Sequence, residues 1–307
     1  MKSVRLTQTN TTVPSIVAGC MRIAHKNVPE IADYIQFCVE NGVTYFDHAD
    51  IYGGGECERK FGEALKSLSV SRDSIFIQSK CSIVPGVMYN MSKQYILDAV
   101  DGILSRLKCD YLDSLLLHRP DALVEPEEVA EAFEILKATG KVRHFGVSNH
   151  STMQIELLKK YVTVPLEFNQ LQLSLPSSNL IAVGMEVNME TAGSIDRNGS
   201  VLDYCRLNDI TIQAWSPLQY GFFEGPFVGN YDKFRELNIE LENLASKYSV
   251  TPTGIATAWI LRHPANMQVI AGTTSINRMR EIINSADITI TREEWYSLYL
   301  KAGHILP

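Results

Sequence analysis

Short apolar runs alternate along the chain with longer stretches in which apolar residues recur every three or four positions. The runs predict buried strands, and the longer stretches predict helices with one apolar face. Eight strands are predicted, near residues 15–19, 43–47, 74–79, 113–117, 143–147, 166–170, 210–215 and 268–271. Eight helices are predicted among them, at about 29–41, 56–68, 93–107, 127–139, 151–160, 200–208, 252–263 and 277–284. This alternation predicts an α/β fold, a single (β/α)8 TIM barrel domain over residues 1–307.

Residues with restricted backbone conformations support these boundaries. Pro29 and Pro126 stand where a helix begins, and proline suits the first turn because it lacks the amide hydrogen that would be unpaired there. Gly42 and Gly140 stand just after predicted helices, where a left-handed residue commonly ends the helix. The predicted helices therefore begin and end at residues suited to those positions.

Three regions extend the basic barrel pattern. The segments 172–199 and 217–231 show little periodicity and predict long loops, which in compact domains are often functional. A helical pattern at 232–248 predicts an extra helix before the last strand. A final pattern at 291–301, with Trp295 and Leu298, predicts a C-terminal helix that closes a face of the barrel.

Four polar residues lie at or just beyond the ends of the second, third and fourth predicted strands. Asp47 and Lys80 end the apolar runs Val43–Asp47 and Ile75–Lys80, His118 follows Leu115–Leu117, and Tyr52 lies in the loop after Asp47. The carboxyl ends of barrel strands converge on one mouth, where catalytic residues collect. The pattern therefore predicts that the four side chains meet around one substrate.

These residue types suit the reduction of a carbonyl by hydride, because Tyr52 can donate a proton to the developing oxyanion. The pKa of a free tyrosine, about 10, is too high for efficient transfer at neutral pH. An ammonium such as Lys80 at about 4 Å would lower it by at most about 3 units. Asp47 would keep Lys80 charged, and His118 would orient the carbonyl.

Composition narrows the classes of partner and location. The formal net charge of −7 argues against a broad nucleic-acid surface. Neither a secretory leader nor an apolar stretch long enough to span a bilayer is recognisable, so we predict a cytoplasmic protein without a membrane partner. The cysteines, at positions 20, 38, 57, 81, 109 and 205, lack metal-ligand spacing and are predicted to be reduced and mostly buried. The histidines are not spaced for one metal either, so no metal site is predicted.

Several motifs resemble the aldo-keto reductase family: Phe46-Asp-His-Ala-Asp-Ile-Tyr-Gly53, Leu116-Leu-His-Arg-Pro120 and Gly146-Val-Ser-Asn149. The resemblance extends from Gly19–Arg22 to Ala271–Thr274 and Arg278. Trp215-Ser-Pro-Leu218 and Glu294-Trp295 resemble, within the family, the YdhF-type bacterial oxidoreductases. The resemblance implies a barrel that reduces aldehydes or ketones to alcohols with NADPH, with Asp47, Tyr52, Lys80 and His118 as its catalytic tetrad.

The cofactor is expected to lie across the barrel mouth, because no G-x-G-x-x-G motif follows a strand. The resemblance implies that Ser148, Asn149 and Gln170 bind the carboxamide and that Trp215 stacks on the nicotinamide. Gly272-Thr-Thr274 opens a helix, where amide hydrogens and hydroxyls suit phosphate, and Arg278 suits a 2′-phosphate. The remaining cofactor residues implied by the resemblance are Met21, Arg22, Asp47, Ser216, Pro217, Leu218 and Glu281.

NADPH is favoured over NADH through Arg278, although a basic residue common in the family at position 272 is Gly here, and an Asn common at position 282 is Ile. The substrate is predicted to be a small carbonyl compound held by Met21, Ile51, Val84, Tyr89, Tyr220, Phe222 and Phe223. The resemblance also implies an alternative role, because it extends to cofactor-binding regulatory subunits of potassium channels. A monomeric enzyme is the predicted form.

Overall fold

A closed barrel of eight parallel strands forms the centre of the protein in the computed structural model, which describes residues 1–306. The strands are β1 Ile16–Gly19, β2 Tyr45–Asp47, β3 Phe76–Cys81, β4 Leu112–Leu117, β5 Val142–Ser148, β6 Leu166–Gln172, β7 Thr211–Trp215 and β8 Met267–Ala271. They pair in chain order, and β8 pairs with β1 to close the ring. The predicted (β/α)8 fold is confirmed.

Helices surround the barrel and connect its strands. Their bounds are α1 Val28–Glu40, α2 Glu56–Lys66, α3 Lys93–Leu107, α4 Pro126–Ala138, α5 Thr152–Lys159, α6 Asn179–Met185, α7 Val201–Leu207, α8 Tyr231–Tyr248, α9 Pro252–Arg262, α10 Ile276–Ser285 and α11 Arg292–Lys301. Short 3-10 turns occupy Ile23–His25, Tyr52–Gly55 and Arg72–Ser74. Along the described chain, no helix is long and apolar enough to cross a membrane.

The predicted boundaries agree with the structure where restricted residues mark them. Pro29 and Pro126 lie in the first turns of α1 and α4. Gly42 and Gly140 follow the ends of these helices with φ of +80° and +71°. The backbone there needs the left-handed conformation, which glycine adopts without a steric penalty.

Three hairpins and one helix were not predicted. Strands Ser3–Leu6 and Thr11–Pro14 form an N-terminal hairpin whose buried residues Val4, Leu6 and Val13 pack on barrel residues including Tyr45 and Phe168. Helix α6 lies in the predicted loop 172–199, and Gln219–Tyr220 pairs with Gly225–Pro226 in the predicted loop 217–231. A third hairpin joins Ile83–Val84 to Met88–Tyr89. The N-terminal hairpin therefore closes the end of the barrel opposite the strand carboxyl ends.

The predicted C-terminal helix is present as α11, and it packs on α8 and α9 of the outer layer. The indole rings of Trp295 in α11 and Trp259 in α9 stack with centroids 4.8 Å apart. Each indole N–H donates to the backbone carbonyl of the other residue at 3.1 Å. Both buried N–H groups are thereby satisfied, so this pair joins α11 to the outer helical layer.

The cysteines agree with their prediction. All six are free thiols, and five of them are buried, while Cys109 is partly exposed. Burial raises the pKa of the Cys38 and Cys205 thiols to about 12, so both stay protonated at neutral pH. These residues act as small apolar side chains in the core.

Candidate active site

Lys80 lies at the centre of the predicted quartet, near the carboxyl end of β3 and fully buried. Its ammonium is 2.8 Å from a carboxylate oxygen of Asp47, 2.7 Å from the backbone carbonyl of His48 and 3.1 Å from the Tyr52 hydroxyl. An ammonium has three N–H donors, so these three oxygens use its full donor capacity. The structure thus brings Asp47, Lys80 and Tyr52 into direct contact.

Three glycines place Tyr52 over this ammonium. Gly53, Gly54 and Gly55 have φ of +59°, +64° and +91°, so the chain turns sharply directly after the tyrosine. A Cβ at Gly55 would lie 2.9 Å from the Arg106 side chain, in addition to the backbone strain. The turn therefore depends on glycine, and it determines where the phenol of Tyr52 lies.

Burial and charge act in opposite directions at this pair. Burial raises the pKa of Tyr52, and the adjacent Lys80 charge only partly offsets this. The predicted net lowering of the tyrosine pKa is therefore wrong for the structure as it stands, because desolvation outweighs the ammonium. For Lys80, burial alone would lower the pKa, but Asp47 and Tyr52 raise it above its ordinary value. Lys80 stays charged, as predicted.

His118 completes the quartet beside Tyr52. The imidazole and phenol rings meet edge to face with centroids 6.0 Å apart. Burial, together with the charges of Lys80 and Arg119, holds the pKa of His118 well below its usual range. The ring is therefore neutral at physiological pH, and a neutral imidazole carries one N–H that can donate to a carbonyl oxygen.

A network of buried amides supports Asp47 from inside the barrel. Gln78 and Gln170 each donate an amide N–H to Asp47 Oδ1, at 2.6 and 3.1 Å. Gln213 accepts from both amides, at 2.9 and 3.1 Å. Tyr45 in turn donates to Gln78 Oε1 at 2.7 Å. Such a network fixes the carboxylate because every member has a partner.

Asp50, two residues before Tyr52, is a partly buried carboxyl whose Oδ1 is buried and lacks a partner among the described residues. Burial, and then the nearby Glu58, raises the pKa of Asp50 from 3.8 to about 7. Folding therefore favours protonated Asp50. This contribution to stability is complete below the unfolded pKa and is lost as the pH rises through about 7.

Replacing Asp50 with asparagine is expected to remove this pH-dependent penalty. Asp50→Asn should stabilise the protein by about 1 to 3 kcal/mol at pH 8, with the gain shrinking toward pH 5. Thermal unfolding followed by circular dichroism at both pH values measures the effect. Asp33→Asn, at an exposed position of α1, is the control. A gain that is equal at both pH values would rule out the linkage to Asp50.

A cavity of about 1200 Å³ opens above the quartet at the barrel mouth. All of the predicted cofactor residues except Glu281 line it; Glu281 accepts from Thr251 instead. Two residues of the predicted substrate wall, Val84 and Tyr220, do not line the cavity. Ile83 lines it in place of Val84, and Tyr220 packs on Phe234. The lining residues that the sequence reasoning did not select include Thr253 and Ser275.

One end of the cavity holds a chain of polar side chains next to Trp215. The indole N–H donates to Asn149 Oδ1 at 3.1 Å, and the Asn149 amide donates to the Ser148 hydroxyl at 2.8 Å. Because both amide hydrogens of Gln170 are directed to Asp47 and Gln213, its amide oxygen is the atom suited to accept a further donor. An amide ligand with both N–H and C=O groups fits these partners.

The other end of the cavity lies where β8 leads into α10. Ser275 caps α10 by accepting from the Arg278 amide at 3.4 Å, and Tyr34 donates to the Thr273 carbonyl at 2.7 Å. The Arg22 guanidinium, from the loop after β1, donates to the Gly272 carbonyl at 3.2 Å. Two guanidinium groups and a helix N-terminus therefore surround this end, and they suit phosphate groups.

Comparison with known proteins identifies the family. A model of the Aldo/keto reductase family matches residues 15–299. The chain belongs to this family. It is 35% identical to the uncharacterized oxidoreductase YcsN of Bacillus subtilis, with 95% of each chain covered. It is 33% identical to the oxidoreductase YdhF of Escherichia coli, with 95% of this chain and 94% of that relative covered.

A solved structure shares the fold. The crystal structure of an aldo-keto reductase from Klebsiella pneumoniae in complex with NADPH matches with a TM-score of 0.78 at 24% identity, covering 99% of this chain and 96% of that one. The predicted aldo-keto reductase family and the resemblance to YdhF are thus confirmed. Membership of the family also confirms the prediction of an NAD(P)H-dependent oxidoreductase. The roles of individual site residues stay predictions.

Proposed function

We propose that the protein is an NADPH-dependent reductase of aldehydes or ketones in which Tyr52 is the general acid. The observation that carries the proposal is the contact of one ammonium, that of Lys80, with both Asp47 and the Tyr52 hydroxyl. The His118 ring packs edge to face against the Tyr52 ring. Asp47, Tyr52 and His118 line a cavity large enough for a cofactor and a small substrate, and Lys80 contacts two of them, Asp47 and Tyr52.

The residues of the cavity fit a nicotinamide cofactor. Ser148, Asn149 and Gln170 would hold the carboxamide, and Trp215 offers an aromatic face beside them. At the other end, Arg22, Arg278 and the start of α10 would hold phosphate groups. When bound, the dihydronicotinamide supplies the hydride that adds to the carbonyl carbon.

The protein's own residues would donate the proton and stabilise the phenolate that remains. Tyr52 and His118 would both donate hydrogen bonds to the carbonyl oxygen, which polarises the carbonyl bond. As charge develops on that oxygen, Tyr52 gives up its proton, and the phenolate that remains lies 3.1 Å from the Lys80 ammonium. Asp47 keeps the ammonium protonated, so the phenolate forms beside a compensating charge. A proton from solvent then restores Tyr52.

A cofactor titration followed by a panel of carbonyl compounds tests this proposal. The wild-type protein should bind NADPH and oxidise it only when an aldehyde or ketone is present, which absorbance at 340 nm follows. Tight binding of NADPH without turnover on any carbonyl would favour the alternative of a regulatory subunit.

The monomeric state, the single domain and the cytoplasmic location stay predictions from the sequence.

Arg278 is proposed to select NADPH through the 2′-phosphate. Arg278→Gln is expected to raise KM for NADPH by about 10-fold or more and to change KM for NADH much less, since a charge-assisted hydrogen bond contributes about 1.5 to 3 kcal/mol. Arg280→Gln is the matched control, because Arg280 is exposed on the same helix and binds Asn277. If KM rose equally for NADPH and NADH in Arg278→Gln, Arg278 would have no part in selecting between the two cofactors.

A further inference from the structure

Arg119 is a charged group in the cavity that the proposed mechanism does not use. It lines the cavity directly after His118 and is only partly exposed. The remaining charged residues of the lining have other positions or partners: Asp47 is paired with Lys80, while Arg22 and Arg278 lie near Gly272–Ser275. On the side away from the proposed cofactor phosphates, Arg119 is therefore the one charged side chain in the described lining that has no charged partner.

No acceptor among residues 1–306 binds the Arg119 guanidinium: it has neither a side-chain hydrogen bond nor an ion pair. The nearest acid in sequence, Asp121, is occupied, because its two oxygens accept from the backbone amides of Met91 and Leu123. Other partly buried arginines are paired, Arg72 with Asp113 at 2.7 Å and Arg106 with Glu58 at 2.7 Å. Arg119 thus has five N–H donors that no described residue satisfies.

The backbone of Arg119 is held rigidly. Its N–H donates to the hydroxyl oxygen of Ser82 at 3.2 Å, and that hydroxyl donates back to the Arg119 carbonyl at 3.2 Å. Pro120 follows and restricts the conformation of the residue before it. Ser82 itself is fully buried. The guanidinium therefore extends from a fixed base beside the predicted carbonyl site, as a substrate-binding group requires.

The neighbours of Arg119 do not neutralise it. Burial lowers the pKa of both His118 and His150, and the charge of Arg119 lowers it further. Both imidazoles near Arg119 are therefore uncharged. The rest of the wall on this side is apolar or aromatic, with Ile51, Ile83 and Tyr89. A partly buried guanidinium in such surroundings is best matched by a ligand that carries a full negative charge.

We propose that Arg119 binds a carboxylate on the substrate, so that the enzyme prefers aldehydes or ketones with a carboxylate a few bonds from the carbonyl. The proposal rests on the proposed function, because it places the carbonyl between Tyr52 and His118. Consecutive Cα atoms are about 3.8 Å apart, so the groups that bind carbonyl and carboxylate originate close together. A planar guanidinium also matches the two oxygens of a carboxylate.

The test compares 4-oxobutanoate with butanal, which has the same number of carbons but no charge. The wild-type enzyme should show kcat/KM about 10- to 100-fold higher for 4-oxobutanoate, mainly through KM, as a charge-assisted pair predicts. Arg119→Gln should bring the ratio of the two kcat/KM values toward 1, and Arg119→Lys should restore part of it. Arg235→Gln, at an exposed position on α8, should leave the ratio unchanged.

Three results would overturn the proposal: no preference in the wild-type enzyme, an equal loss on both substrates in Arg119→Gln, or a preference for glyceraldehyde over 4-oxobutanoate that depends on Arg119. The last result would show that Arg119 binds hydroxyl groups of the substrate and not a carboxylate. Calorimetry with succinate separates this proposal from the proposed function. If the wild-type protein reduces no carbonyl but binds succinate through Arg119, the reductase assignment fails while the carboxylate site stands.

Discussion

Replacing Tyr52 with phenylalanine is expected to lower kcat for NADPH-dependent carbonyl reduction by about 10² to 10⁴-fold. The hydroxyl that Lys80 contacts at 3.1 Å is the proton donor in the proposed mechanism, and phenylalanine removes that hydroxyl while it keeps the ring. Because the Tyr52 ring is only partly buried and packs edge to face on His118, the variant should fold normally. Steady-state NADPH oxidation with an aldehyde measures the loss.

The pH dependence gives this variant a second use. Because burial raises the pKa of Tyr52, the donor stays protonated at neutral pH, and reduction should decline only as the pH rises above the usual tyrosine range. Tyr161→Phe, at a partly buried position in the loop after α5, is the control and should retain full activity. NADPH should still bind to Tyr52→Phe. A wild-type rate in this variant would exclude Tyr52 as the acid.

Replacing Lys80 with methionine is expected to affect both stability and activity. Asp47 would remain as a buried carboxylate without its cation, and breaking such a pair by removing one partner typically costs about 3 to 5 kcal/mol. The phenolate of Tyr52 would also lose the charge that stabilises it, so kcat should fall by at least about 100-fold. Thermal unfolding and NADPH oxidation measure the two effects separately.

The double variant Asp47→Asn/Lys80→Met separates these two roles. Removing both charges leaves no unpaired ion, so the free energy of unfolding should recover toward the wild-type value, while activity should stay low. This variant also keeps the test valid if Lys80→Met alone fails to fold. Recovery of activity along with stability would show that the ammonium has no part in proton transfer.

The sequence predicted the positions of Asp47, Lys80 and His118 because each follows a strand whose apolar run is easy to recognise. All eight strands begin and end within a few residues of their predicted bounds. Tyr52 was different, since its position depends on the left-handed turn at Gly53–Gly55, which periodicity does not describe. Its contact with Lys80 was implied by the family resemblance and by chemistry, and the structure supplies the distance.

The missed features have local physical causes. Helix α6 begins at Asn179 without a side-chain cap and has seven residues, too few to show a helical repeat clearly. The hairpin strand Ser3–Leu6 does alternate in burial, but it is only four residues long. Short elements of this kind form because they pack on a completed barrel, so tertiary contacts decide them.

The net pKa of Tyr52 and the amide network show a further limit of sequence reasoning. The prediction considered the attraction between Lys80 and the phenolate but had no measure of desolvation, which is the larger effect. Gln78 lies within a predicted strand, two residues before Lys80, and so shares its side of β3. That spacing was the available signal for a residue that contacts Asp47.

The most direct test of the account is transfer of deuterium from NADPH labelled at C4 to a carbonyl substrate, followed by mass spectrometry of the alcohol. The account predicts that the wild-type protein produces alcohol with one deuterium on the carbinol carbon, and that Tyr52→Phe produces far less of it. If NADPH binds but no labelled alcohol forms with any aldehyde or ketone, the protein is not a carbonyl reductase, and a cofactor-binding regulatory role becomes the better explanation.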